Sequence, residues 1–177
     1  RRQRQMCIRD RIWGTQQLDF APRPKVDGVF SIWYGKGPGV DRSGDAFKHI
    51  NYNGTHQNGG VLVVFGDDHP GKSSSIGHQS DPALAANSIP VLFPATIQEY
   101  LDFGLHGIAM SRFASVVVGF KCVNETVTAT STVSVDPDLV TINIRVSYAH
   151  LRAHETEAEI VCSHMLEKKK GGGGGGG

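Results

Sequence analysis

The chain has 177 residues, with 18 basic and 17 acidic side chains, 22 Gly and 3 Cys, but those totals average over unlike segments. Residues 1–11 carry five Arg against Asp10, residues 171–177 are all Gly, and residues 12–144 hold 8 basic against 12 acidic groups, a net charge of −4. An acidic middle argues against nucleic acid, no apolar run approaches the roughly 20 residues that span a bilayer, and three scattered Cys give neither a disulfide framework nor a metal spacing.

From the N-terminus, Met6-Cys-Ile-Arg-Asp-Arg11 resembles a string often produced when sequencing-adapter DNA is translated. Residues 1–11 therefore read as a non-native extension to be set aside before fold reasoning. No apolar stretch of a secretory signal precedes Ile12, and with the isolated Cys this leads us to expect a reducing, cytoplasmic setting. Gly28-Val-Phe-Ser-Ile-Trp-Tyr34 is rich in β-branched and aromatic residues and reads as a strand. Gly35-Lys-Gly-Pro-Gly39 should break it into a loop. Asp41 is placed to cap a helix running to about Tyr52, with Phe47 and Ile50 as apolar contacts and Asn53-Gly54 as its stop.

Gly60-Val-Leu-Val-Val-Phe65 is a continuous apolar run of strand length, the pattern of a strand covered on both faces. A polar loop from Gly66 to Gly77 and a short helix from Gln79 to about Asn87 follow. Ile89-Pro-Val-Leu-Phe93 predicts a third strand, shortened by Pro90. Thr96 caps a predicted helix in which Ile97, Tyr100, Leu101, Leu105 and Ile108 recur at spacings of 3 and 4, an expected core-facing stripe. Ser115-Val-Val-Val-Gly-Phe120 reads as a fourth buried strand. Alternating strand and helix units of this kind predict an α/β fold, a mostly parallel sheet with helices on both faces, and ligands at the loops after the strand C-termini. Residues 145–177 read as a non-native or disordered tail without a clear apolar stripe, ending in poly-Gly.

Two loops are candidates for chemistry. Gly66-Asp-Asp-His-Pro-Gly-Lys-Ser73 matches the phosphate-loop pattern and follows a strand, which suggests a nucleotide-binding module. Against it, Asp67 and Asp68 would repel polyphosphate and Pro70 removes a donor; Asp67 and Asp68 serve equally well as turn caps, and Ser73 to Ser75 as donors' partners at a helix start. Asp67, Asp68, His69 and His78 have the right types for a metal site, although adjacent Asp side chains point in alternate directions. The Gly35 to Gly39 loop lets a ligand approach the backbone closely; Lys36 and Arg42 beside it read as solvated charges. Cys122 reads as inert packing, and the interior His residues (49, 56, 69, 78, 106) as mostly surface or capping groups.

The ordered series Gly28 to Asp45, Gly59-Gly-Val-Leu-Val-Val-Phe-Gly-Asp-Asp-His69, Ser73-Ser74, His78-Gln-Ser80, Ile89-Pro-Val-Leu92, Gln98 to His106 and Gly119-Phe-Lys-Cys-Val123 resembles the bacterial indolepyruvate ferredoxin oxidoreductases of the long single-chain form. The resemblance runs from about Ile12 to Asn143. It implies that residues 12–144 are part of a pyrimidine-side domain of a thiamine diphosphate enzyme. Such enzymes oxidatively decarboxylate aryl 2-oxoacids to acyl-coenzyme A, with Mg²⁺ beside the diphosphate, and pass electrons through iron–sulfur clusters to ferredoxin. The resemblance further implies a homodimer, partner domains outside this sequence, and Gly37, Pro38, Gly39, Asp67, Asp68, Ser73 and Ser74 at the cofactor edge; Lys72 in the same loop reads as a solvated charge ahead of a contact to a substrate carboxylate. It places the family's activating Glu just before Trp13, where this sequence reads Arg1 to Arg11. No Glu occurs before Glu99, so the expectation is a piece without catalysis of its own.

Overall fold

The computed structural model describes residues 10–71, 76–136 and 140–142. Residues 10–15 are helical (α1), and a 3-10 turn follows at Leu18–Phe20. Then come β1 (Ser31–Lys36), α2 (Gly37–Asp41), α3 (Gly44–Asn53), β2 (Val61–Asp67), α4 (Asp81–Ala85), β3 (Val91–Leu92), α5 (Ile97–Ala114), β4 (Val118–Val123) and α6 (Asn124–Val127). The four strands form one sheet of order β1-β2-β4-β3, and every pairing is parallel.

Parallel neighbours need a crossover, so each strand's exit fixes which face its helix covers. On one face, Trp33, Val61, Val63, Phe65 and Val117 pack with Val40, Phe47, Ile50 and Leu84 from α2, α3 and α4, and with Ile12 from α1. Trp33 meets Phe47 edge-on at 5.0 Å. On the other face lies α5. Its Gly107 sits so close to Leu62, Leu92 and Val118 that a Cβ there would stand 2.7 Å from Leu62. The sheet thus has helices on both faces, as the alternating sequence pattern predicts.

Boundaries moved where local chemistry outweighed composition. Gly35-Lys-Gly-Pro-Gly39 is no loop: β1 continues through Lys36 and α2 begins at once, with Pro38 in its first turn. Proline's fixed φ and missing N–H suit that position. Asp41 therefore closes α2 rather than capping α3, whose N-cap is Ser43 without a side-chain bond. The stop at Gly54 holds, with φ 82. The fourth strand starts at Val118, three residues after the expected start at Ser115, because Ser115 ends α5 in the left-handed region. The third strand shrinks to two residues. At Thr96 the predicted cap forms as a reciprocal box with Glu99.

The expected core stripe of α5 is the clearest correction. Its buried residues are Gly107 and Ser111, while Leu101 and Leu105 are exposed. Small residues on the buried line let the helix backbone approach the sheet, and the large apolar side chains fall on its flank.

The N-terminal ends of the strands are tied by buried polar groups that the periodicity does not reveal. Gln16 Oε1 accepts from the amides of His56 (3.2 Å) and Gly60 (3.0 Å), and its Nε2 donates to Val29 O (2.9 Å). Ser111 Oγ accepts from Val61 N (2.8 Å) and donates to Val116 O (2.6 Å), and Thr55 Oγ1 donates to Ser111 O (2.7 Å). Asn51 accepts from Val117 N (3.0 Å) and donates to Asn87 O (2.9 Å). His56, expected at the surface, is buried, and its Nε2 faces Asp19 at 3.3 Å.

Gln16→Leu leaves two buried amides without an acceptor and is expected to lower stability by about 2–3 kcal/mol, read as a shift in the urea midpoint. Ser88 holds φ 56 at an exposed site. Ser88→Gly relieves that strain and is expected to raise stability by about 0.5–1 kcal/mol, net of the entropy glycine adds to the unfolded chain.

Candidate functional site

The chain leaves β2 toward the face of α4 and leaves β3 toward the face of α5, so the two exits diverge over the C-terminal end of β4, which lies between them. Open parallel sheets form their crevices at such a divergence. The groups gathered there are Asp67 at the end of β2, Lys121 of β4, the 76–81 segment, and Phe93 after β3.

Asp67 is the last residue of β2 and its side chain is fully buried. Ser80 donates to it twice, from N to Oδ2 (2.7 Å) and from Oγ to Oδ1 (2.6 Å). The Lys121 ammonium, 5% exposed, lies 3.7 Å from Asp67 Oδ2 and donates to Asp81 Oδ2. It also stands 5.0 Å from the centre of the Phe93 ring. Two carboxylates and one ammonium leave this cluster negative. A buried charge is tolerated only when paired and hydrogen-bonded, and here each is.

The β1 exit joins the same edge through His78. A Cβ on Gly37 would stand 2.1 Å from His78 Nδ1, so glycine is required for the imidazole to lie against the first turn of α2. His78 Nε2 faces Asp41 Oδ2 at 3.6 Å, and His78 N donates to Asp68 O at 3.1 Å. A shallow depression of ≈470 Å³, lined by His69, Gly77, His78, Gln79 and Lys121, opens beside this group.

Gly37, Pro38, Gly39, Asp67 and Asp68 thus stand along one edge of the sheet, whereas Lys72, Ser73 and Ser74 lie outside the described residues. Proximity does not leave them open. The close approach that Gly37 allows is filled by His78, Gly37 and Gly39 are buried, and the Asp67 carboxylate is engaged by Ser80 and Lys121. Gly66 and Asp67 belong to β2 instead of opening a loop, so the first two positions of the phosphate-loop pattern are strand backbone. The metal reading also changes: Asp67 turns into the core, and no group of three or more His, Cys, Asp or Glu converges as a metal site among the described residues.

Lys121, Ser80, Asp81 and Asp41 were missed by sequence reasoning. For Lys121 a signal existed, since the apolar run resumes after it with Cys122 and Val123; a lysine inside a buried strand needs a carboxylate. Cys122 lies within β4 rather than after a strand. Burial pushes its thiol above the ordinary 9.0, partly offset by a hydrogen bond with Tyr100, which agrees with inert packing. Burial likewise raises the Tyr100 phenol above 10.0, against the pull of its bond to Thr126 Oγ1 (2.6 Å).

No protein-family model, curated protein or solved structure matches the chain.

Removing Lys121 strands the buried Asp67. Lys121→Met is expected to cost about 3–5 kcal/mol, and Asp67→Asn added to it should restore part of the loss, which a double-mutant cycle of denaturation curves measures. The folded chain holds the Cys122 and Tyr100 protons more tightly than the unfolded chain does. Their contribution is complete below about pH 9 and is lost as pH rises through the higher folded values. The urea midpoint should therefore fall above pH 9, and fall less steeply in Cys122→Ala.

Proposed function

We propose that residues 12–144 are part of the pyrimidine-side domain of a thiamine diphosphate-dependent 2-oxoacid:ferredoxin oxidoreductase acting on aryl 2-oxoacids such as indolepyruvate. The observation that carries this reading is the joint placement of its motifs. The later parts of the Gly28 to Asp45 and Gly59 to His69 segments, around Gly37 to Asp41 and Asp67 to Asp68, meet the His78 to Ser80 segment at one C-terminal edge of an all-parallel sheet, the side on which such folds bind ligands.

The residues present do not fit the whole cofactor. Glu99, the first Glu of the sequence, is engaged as the N3 partner of the Thr96 cap, so it is not available to a pyrimidine ring. Asp67 and Gly37 are already filled by protein partners. No catalytic step is assigned to this chain. In the proposed role it supplies a wall, in which the Asp67–Lys121–Asp81 cluster holds the β2 and β4 exits in place and His78 fixes α2. The activating carboxylate, the diphosphate and Mg²⁺ site, the iron–sulfur clusters, and the contacts to coenzyme A and ferredoxin would come from partner domains.

A graft tests the reading. Residues 12–144 substituted for the matching stretch of an active long-chain indolepyruvate ferredoxin oxidoreductase are expected to retain indolepyruvate-dependent reduction of a viologen dye. His78→Ala in that graft should lower turnover. A chimera that folds with cofactor and clusters loaded yet does not turn over overturns the proposal, as does indolepyruvate oxidation by the chain alone. The nucleotide-binding alternative using Gly66 to Ser73 predicts calorimetric binding of ATP with Mg²⁺; none is expected.

A further inference from the structure

The polar pole at the N-terminal ends of the strands holds a group whose charge changes near neutral pH, the imidazole of His56. Its side chain is 6% exposed, and both ring nitrogens are engaged: Nδ1 lies 3.1 Å from Asn58 N, and Nε2 lies 3.3 Å from Asp19 Oδ1. A backbone amide can only donate, so Nδ1 is the bare nitrogen, and the proton of the neutral ring sits on Nε2, directed at Asp19. The two bonds reach different segments. Asn58 belongs to the turn between α3 and β2, whereas Asp19 belongs to the 3-10 turn after α1.

These segments are the walls of a depression of ≈410 Å³, lined by residues between Leu18 and Asp27 and by His56, Gln57 and Asn58. His56 links the two walls. The Asn58 wall also bears on the start of the sheet, since a Cβ on Gly28 would stand 2.2 Å from Asn58 O, which packs the turn directly on the segment leading into β1. Behind it, Gln16 Oε1 accepts from His56 N and Gly60 N, and Arg112 Nε donates to Gly59 O. Those bonds hold the ends of the turn without help from the imidazole; the Asn58 amide depends on it.

We infer that His56 is a proton-operated latch between the walls of this depression: the neutral ring joins them, and the protonated ring releases the Asn58 side. The added proton comes from solvent and must go to Nδ1. The new Nδ1–H then faces Asn58 N–H, two donors with no acceptor between them. The bond from Nε2 to Asp19 becomes an ion pair, but the Asp19 side chain is 81% exposed, and a solvated pair of this kind contributes little. The loss inside exceeds the gain at the surface. Of the other charges on the elements around the ring, Asp27 lines the depression, Arg23 and Lys25 are exposed on the same segment, Asp10 and Arg11 of α1 are exposed and of opposite sign, and Arg112 meets the turn through Gly59 O. Acidification through the imidazole range, from about pH 8 to about pH 5, therefore turns the Gln57–Asn58 peptide away while Gln16 keeps the strand ends tied.

The inference lies at the N-terminal ends of the strands and is independent of the function proposed at the C-terminal edge. Its test is nitrogen-15 NMR of the full chain across that pH range. At the upper end, long-range nitrogen–proton spectra should show His56 protonated at Nε2 alone. On acidification Nδ1 should take up a proton, and the Asn58 amide should shift and exchange about tenfold faster than the intrinsic pH dependence of exchange requires. Smaller changes are expected at Asp19 and Gly28, and none in β2 and β4. Asp19→Asn, at an exposed site, should move the midpoint of this change to lower pH by about 0.5, because the imidazolium loses its counter-charge. His56→Gln keeps a donor and an acceptor without titrating and should abolish the change; Asp19→Asn decides alone where that variant does not fold. A proton on Nδ1 at the upper pH, an Asn58 amide indifferent to acidification, or a transition that persists in His56→Gln or stays in place in Asp19→Asn overturns the inference.

Discussion

The structure rests on one requirement: β2 and β4 are parallel neighbours buried on both faces, and parallel strands can be joined only by crossovers that lay helices over the sheet. From this follow the division of α2, α3 and α4 to one face and α5 to the other, and the divergence of exits above β4. The same requirement explains the small residues at the contacts. Gly107 lets α5 approach Leu62 and Val118, and Gly119 sits within ordinary or tighter packing distance of Leu84, Val91 and Phe65. Two helical layers can press on the same strands only where one side of each contact is small.

At both ends of the sheet, burial forces polar groups to be paired. At the N-terminal ends, Gln16, Thr55, Ser111 and Asn51 satisfy backbone groups that the ladder leaves open. At the C-terminal ends, the pairing is ionic, through Asp67, Lys121 and Asp81. The contrast matters for function. Neutral bonds at one end tie the segments together, whereas at the other a net negative, partly open group borders the depression lined by His69 and His78.

How far the sequence could be read follows from where each signal resides. Val61 to Phe65 and the Thr96 cap are local patterns, and both appear where expected. The Gly54 stop is local too. The Gly35 to Gly39 stretch misleads because Gly37 serves close packing under His78, a contact with a residue 41 positions on that composition does not encode. Lys121 and Asp67 extend their strands past the apolar runs because each neutralises a charge contributed by a distant segment. Of the α5 stripe, Tyr100 packs edge-on against Phe120 and Ile97 and Ile108 are half-buried, while Leu101 and Leu105 are exposed, since periodicity reports that a face is apolar and not what covers it. At the site, residue types and their side of the sheet were legible; that Asp67 and Gly37 are already filled was not.

The bonds from Ser80 to Asp67 and from His78 N to Asp68 O have a consequence for how this protein tolerates change. They clamp the two ends of the stretch between β2 and α4 close together, independently of what lies between. Closing a loop costs little more as it lengthens, about 0.6 kcal/mol per doubling. Related chains can therefore differ widely in the length and residues of this stretch while the strand exits keep their positions. Variation in evolution should gather between the clamps, and Asp67 and Ser80, whose clamp depends on their side chains, should change together or not at all.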